Sequence, residues 1–372
     1  MTGIYIHIPF CKQKCFYCDF YSETTLLDIP TYMKTLENQI MGFPSREVDS
    51  IYIGGGTPSL LSGEQVARLL LVLEKQFKVS KDSEITIEIN PDSSDRVKLK
   101  EYFSAGINRI SVGAQTVNDE TLKRLGRLHL AEAAKEILRD AAEVGFNNIS
   151  CDMMLALPYE DERDISRTID FFSKNGVKHI SAYILKISPD TPFGRNNPKG
   201  IPDDDRTADL YDYTVEELEK LGYKQYEISN FSLESYESRH NMKYWNCEEY
   251  IGLGAGAFSS IDNMRYHIEG NLKEYLNTFK KPSNDYMKGL IYDGLVGYDD
   301  YMILQLRTAK GLDLDEMYER YKFVPTEKMN ECFKQYIELG LMKREDKTIY
   351  LTEKGFLVSN EILSGLLLAV EL

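Results

Sequence analysis

The chain has 372 residues, 42% hydrophobic and 28% charged, enough to bury a large core and leave room for one or two appended modules. Lys and Arg number 44 against 59 Asp and Glu, and the formal charge of −15 repels phosphate backbones and anionic headgroups, which argues against nucleic acid as a partner. No secretory leader precedes the first predicted strand, no segment reaches the roughly 20 apolar residues that cross a bilayer, and six cysteines are too few for a disulfide scaffold, so a soluble, cytoplasmic protein with reduced thiols is expected.

The first predicted element is a strand at 4–8, and strand-length β-rich runs recur at 50–53, 85–89, 109–112, 148–153 and 179–185. Between them, apolar residues fall at helical spacing over 30–41, 63–78, 131–144 and 161–175. Repeated βα units imply parallel strands buried on both faces, which suits these Ile- and Val-rich runs. The expected fold class is α/β: an incomplete (β/α)6 TIM-like barrel over 1–190, with its functional residues where strands end and loops begin. Beyond it come Pro- and Gly-bearing loops at 188–202, a helical stretch at 203–221 and an aromatic, irregular region to about 268, so that 191–297 reads as a cap over the barrel mouth. From 298 to 372, two or three amphipathic helices precede a hairpin at 341–352, the pattern of a winged-helix-like module. Acidic and basic residues interleave along that module without a basic stripe, which speaks against DNA.

Three of the six cysteines, Cys11, Cys15 and Cys18, lie in one loop after the first strand, in a CxxxCxxC spacing. Zinc wants a fourth ligand to close a tetrahedral site, and His7 is the one nearby candidate. An iron-sulfur cluster held by three thiolates keeps one iron open to a ligand. The other three, Cys151, Cys247 and Cys332, are isolated and suit small buried hydrophobes. Gly54-Gly55-Gly56-Thr57-Pro58 ends the second strand, where residues lacking Cβ let backbone approach a ligand or simply form a turn. Glu88, Gln115, Arg127 and Asp152 cluster at later strand ends; the carboxylates suit ribose hydroxyls or an ammonium, the arginine a carboxylate, the glutamine hydroxyls or a base edge.

The cysteine spacing at the end of the first strand of a six-fold βα chain resembles the radical S-adenosylmethionine superfamily, over residues 4 to about 190. The resemblance implies a 4Fe-4S cluster on Cys11, Cys15 and Cys18, an electron donor for it, and S-adenosylmethionine chelated to the open iron and reductively cleaved to an adenosyl radical. Within that superfamily, the coproporphyrinogen dehydrogenase branch is the nearest in pattern, and its motifs put Tyr5, Gly55, Gly56, Thr57, Glu88, Gln115, Arg127 and Asp152 around S-adenosylmethionine. Two departures separate this chain from the decarboxylating enzymes: Phe20 replaces their fourth cysteine, and only Met1 to Gly3 precede the first strand. The segment Arg239-His240-Asn241-Met242-Lys243-Tyr244-Trp245 instead resembles the HNxxYW segment of the haem chaperone HemW family. That likeness implies haem as cargo, bound at His240 and Trp245, with haem-accepting respiratory proteins as partners; it leaves homodimerisation open. Met242 or Cys247 would then offer a second axial ligand, while Phe258 stands where relatives usually have a histidine. The rival expectations are oxidative decarboxylation of coproporphyrinogen III and another radical reaction on a porphyrin.

Overall fold

The computed structural model describes residues 1–371. The predicted strands are all present and mostly longer than their apolar runs: β1 (Thr2–Ile8), β2 (Glu47–Gly55), β3 (Lys78–Ile89), β4 (Arg109–Gln115), β5 (Asn148–Leu155) and β6 (His179–Ile184). They lie side by side in chain order, all parallel. Alternation sorts their side chains. Ile4, Ile6 and Ile8 of β1 pack outward under the crossover helices, while Tyr5 and His7 face the lumen; Ser50, Tyr52 and Gly54 of β2 and Ser111 and Gly113 of β4 continue that polar inner face.

Helix starts follow local chemistry. Ser62 and Gln65 form a capping box on Gly63–Gln76, which ends two residues before the predicted limit because Lys78 already pairs with Glu47 as the start of β3. Among the first six βα units two helices have no counterpart among the predicted elements, Arg96–Ala105 and Asp119–Arg124, and both begin at an Asp or Asn cap, Asp95 and Asn118.

The region read as a cap is corrected by the structure. Residues 224–295 supply six more strands of the same sheet: β7 (Lys224–Glu227), β8 (Asn230–Ser232), β9 (Tyr250–Leu253), β10 (Phe258–Ile261), β11 (Met264–His267) and β12 (Ile291–Leu295). The order is β12-β11-β10-β9-β1-β2-β3-β4-β5-β6-β8-β7, so the barrel wall is extended at both margins and remains open. The chain passes from β8 to β9 by the helix Arg239–Trp245. Ser238 caps it, and the Glu84 carboxylate accepts from the backbone N–H of Arg239 and His240. Lys243 pairs with Asp49 at 2.9 Å and donates to the Met1 carbonyl. These partners stand at or near the amino ends of β1 and β2, so this helix is a floor to the barrel, at the end opposite the cysteine loop.

Below the floor, β13 (Leu312–Asp313), β14 (Met342–Glu345) and β15 (Thr348–Leu351) form a small antiparallel sheet among helices, with a core of its own around Tyr301, Met302, Met317 and Phe333. It docks through Gln305, which donates to the Trp245 carbonyl at 2.8 Å, and through backbone bonds joining Ile228 to Arg307 and Ala309 to Tyr226. No helix among the described residues is long and apolar enough to cross a membrane.

Candidate functional site

The loop after β1 is pinned at its base, where Cys11 N–H donates to the Glu23 carbonyl and Glu23 N–H to that of Pro9, at 2.9 and 2.7 Å. Cys11, Cys15 and Cys18 are half-buried in it. Thr57 Oγ1 donates to Cys11 Sγ at 3.5 Å and the Arg127 guanidinium to Cys15 Sγ at 3.7 Å, contacts that fix the two side chains in the loop. Burial pushes the Cys18 thiol upward, and the neighbouring thiols add to that push. Among the described residues no three His, Cys, Asp or Glu side chains form a set able to hold one metal ion. Three half-buried thiols in one loop, with no fourth side chain among the described residues completing the set, are a donor set that fits a four-iron cluster with one iron left open.

The glycine run is a cradle whose shape forbids side chains. A Cβ on Gly56 would stand 2.8 Å from the Phe10 carbonyl and 3.0 Å from Cys11 Sγ; one on Gly55, already at φ +115°, would meet the His7 ring at 2.7 Å. Beside it, a narrow cleft open to solvent is lined by Lys12, Cys15, Thr57, Asn90 and Arg127 among others. Arg127 donates to Asn90 Oδ1 at 2.7 Å and to the Gly113 carbonyl at 2.6 Å, and its buried Nε has no partner. A fixed, partly unspent guanidinium beside a thiol loop suits the carboxylate of an amino-acid ligand.

Deeper in the lumen, Glu88 accepts from Tyr52 Oη at 2.9 Å and from Gly55 N–H at 3.1 Å. Burial, with Asp152 nearby, lifts Glu88 to about 8, and burial raises Asp152 as well. Ser111 Oγ donates to Asp152 at 3.2 Å. Tyr5 stacks on Tyr52 with centroids 6.2 Å apart and donates to His7 Nδ1, whose Nε2 donates in turn to the Tyr21 carbonyl of the cysteine loop. Gln115 closes β4 at φ +67°. Tyr5, Gly55, Gly56, Thr57, Glu88, Gln115, Arg127 and Asp152 thus share the upper barrel with the cysteines. Sequence reasoning passed over Tyr52, Asn90 and Arg109. Alternation alone would have found Tyr52, since it lies between Ser50 and Gly54 on the inner face; Arg109 is buried, with an unpartnered Nε.

His240 and Trp245 are not brought to this site. The His240 ring is fully buried in the floor, with Nδ1 hydrogen-bonded to Ser50 Oγ at 2.9 Å, Nε2 to Tyr244 Oη at 2.8 Å, and Tyr52 stacked on it at 5.4 Å. Burial lowers its pKa to about 3, so the ring is neutral and both nitrogens are occupied. In this conformation it reaches no iron, and the expected ligand role meets packing that closes both approaches. Trp245 is half-buried, its carbonyl taken by Gln305. Cys247, at φ +50°, packs toward the C-terminal core, and burial raises its thiol to about 11.

With this geometry in hand, comparison with known proteins gives three findings. The family described as the radical SAM superfamily matches residues 5–172, and the HemN C-terminal domain matches 298–358. Proteins named heme chaperone HemW are 33% identical in Lactococcus lactis, over 99% of this chain and 97% of that one, and 33% identical in Bacillus subtilis, over 99% of both. The one from Escherichia coli is 38% identical over 70% of each chain. Among solved structures, coproporphyrinogen III oxidase (HemN) from Escherichia coli superposes with a TM-score of 0.84 at 23% identity, covering 98% of this chain and 89% of that one, a likeness of fold.

Proposed function

The chain belongs to the haem chaperone HemW family of radical S-adenosylmethionine proteins, and on that premise we propose that it binds haem in the cytoplasm and hands it to haem-requiring respiratory proteins. The observation that carries this reading is the similarity to curated chaperones along the whole chain, floor helix and C-terminal module included. The upper barrel adds the apparatus that membership implies. Cys11, Cys15 and Cys18 would hold the 4Fe-4S cluster, and the glycine cradle, Arg127, Glu88, Gln115 and Asp152 would hold S-adenosylmethionine. That pair supplies one-electron reductive chemistry when bound, fed by an external electron donor.

The chain's own residues have narrower tasks. Arg127, braced by Asn90 and the Gly113 carbonyl, orients a carboxylate. Glu88 is protonated at neutral pH and can donate to a ligand oxygen while keeping its bonds from Tyr52 and Gly55. Phe20, 66% exposed where the decarboxylating relatives have a fourth cysteine, leaves an apolar ring there. These features fit a cluster that stabilises or switches a haem-binding conformation better than one that drives repeated decarboxylation.

The test is anaerobic reconstitution followed by two measurements. Iron analysis should give about four irons per chain, lost in Cys11→Ala, and haem titration should show stoichiometric binding. Multiple-turnover formation of protoporphyrinogen IX from coproporphyrinogen III would overturn the chaperone reading in favour of the enzyme; a chemically altered porphyrin would favour another radical reaction.

A further inference from the structure

If haem is the cargo, the floor histidine is poorly placed to take its iron, and another histidine is well placed. His267 closes β11, the second strand in from the open margin of the sheet. Its register fixes which face it shares: Tyr5 lies opposite Gly252 of β9, Tyr250 opposite Ser260 of β10, and Ser260 opposite Arg265 of β11. By two-residue alternation, Phe258, Arg265 and His267 stand on the lumenal side of the sheet, the side of Tyr5. The chain direction puts Phe258 and His267 at the same end as the cysteine loop, since Gly256 and Gly270, just outside these two strands, both pack on the Tyr21 ring.

The chemistry around His267 is specific. Its Nδ1 lies 2.7 and 2.9 Å from the two carboxylate oxygens of Asp293. An ionised carboxylate only accepts, so Nδ1 donates to it, and Nε2, which has no hydrogen-bond partner among the described residues, is the nitrogen left to meet a ligand. A carboxylate behind an imidazole is the arrangement that fixes its orientation toward a metal. The ring is 26% exposed, so a ligand can reach it. One imidazole is too little for a bare ion, and no three-ligand set exists among the described residues, but a porphyrin brings four nitrogens and asks the protein for one. Apolar surface is at hand: Phe258 is 56% exposed with its ring 5.5 Å from the imidazole, and Ile291, paired with His267 across the strands, is 42% exposed. Arg265, on the same face, pairs with Asp300, so the margin carries a guanidinium able to exchange that partner for an anionic propionate.

We propose that His267, oriented by Asp293 and flanked by Phe258 and Ile291, is the axial ligand through which this chain holds haem. The assignment rests on haem being the cargo. It places the iron at the sheet margin beside the cysteine loop and leaves His240 a structural bolt.

The experiment is a haemin titration of the full chain followed by absorbance. His267→Ala should weaken binding at least tenfold and shift the Soret band, and added imidazole should restore the band by filling the emptied position. Asp293→Asn should keep stoichiometric binding with a displaced spectrum. Circular dichroism should match the unsubstituted chain, since His267 lies at the surface. An unchanged band and affinity in His267→Ala overturns the assignment while leaving the cargo reading intact, as does loss of the band in a folded His240→Phe alone. Failure of the unsubstituted chain to bind haemin overturns the cargo reading and this assignment with it.

Discussion

Glu88 shows how a residue can be suited to binding at a cost to folding. It sits deep in the barrel, faces open lumen, and carries a pKa lifted to about 8 by burial and by Asp152. Because the folded value lies above the unfolded one, its favourable contribution is complete below about pH 4.5 and is lost as pH rises toward 8. Glu88→Gln should remove that loss: the substituted apoprotein gains about 1 kcal/mol relative to the parent at pH 8, a figure discounted for solvent in the lumen, and nothing at pH 4.5. The same change should weaken S-adenosylmethionine at least tenfold. Melting at both pH values and equilibrium dialysis would check the pair, and a variant that melts alike and binds alike would clear Glu88 of both roles. His240 works in the opposite direction. Its pKa is lowered to about 3 by burial, so its contribution is present above pH 6.5 and disappears as the pH falls toward 3. His240→Ala, which strands the Ser50 and Tyr244 partners, should cost about 2 kcal/mol at pH 7 and blunt acid unfolding in that window, as denaturant titration at several pH values would show.

At the scale of elements, legibility followed apolar periodicity. Strands such as β1 and helices such as Ala131–Val144 were plain because Ile-rich alternation and regular helical spacing have few alternatives. β7 to β11 are three or four residues each, too short to show a period, and their pairing is set by the neighbouring wall, so they read as irregular chain. The helices at Asp95 and Asn118 were signalled by their caps, but the first has a weakly amphipathic face and the second spans six residues. The upper site was legible because its residues sit beside strand ends; the floor position of His240 was not, because nothing local in HNxxYW says which end of a barrel a connecting helix will close. The glycine cradle is where element geometry and site meet. Gly56→Ala puts a methyl group against the Phe10 backbone, which a rotamer change cannot relieve. The expected result is a folded chain with several-fold less iron after reconstitution; full iron loading would show that the loop yields more easily than its hydrogen bonds to Glu23 and Pro9 imply.

The whole molecule is two large cores joined at a seam, with a small third cluster around Leu125, Met154, Leu157, Leu185 and Phe193. The main barrel core and the core of the C-terminal module are separate, and the side chains that reach across, such as Ile228 and Cys247, are only partly buried. The seam itself is polar: Gln305 on Trp245, an Arg320 bond to the Asn246 carbonyl, and strand-like contact between Glu227 and Thr308, where burial lifts Glu227 to about 7. Polar seams couple neighbouring domains weakly. On the proposed reading, cluster and S-adenosylmethionine would bind only the upper barrel, at the end farthest from the seam, so their binding energy should stabilise the barrel and leave the module where it was. Calorimetry of the apoprotein should therefore resolve two transitions. Reconstitution with S-adenosylmethionine at a hundred times its dissociation constant adds about 2.7 kcal/mol and should raise the barrel transition by roughly 5 °C without moving the other. A single transition that shifts as a whole would mean that the floor helix transmits the upper site's binding energy across the seam, making the module part of one cooperative unit with the barrel.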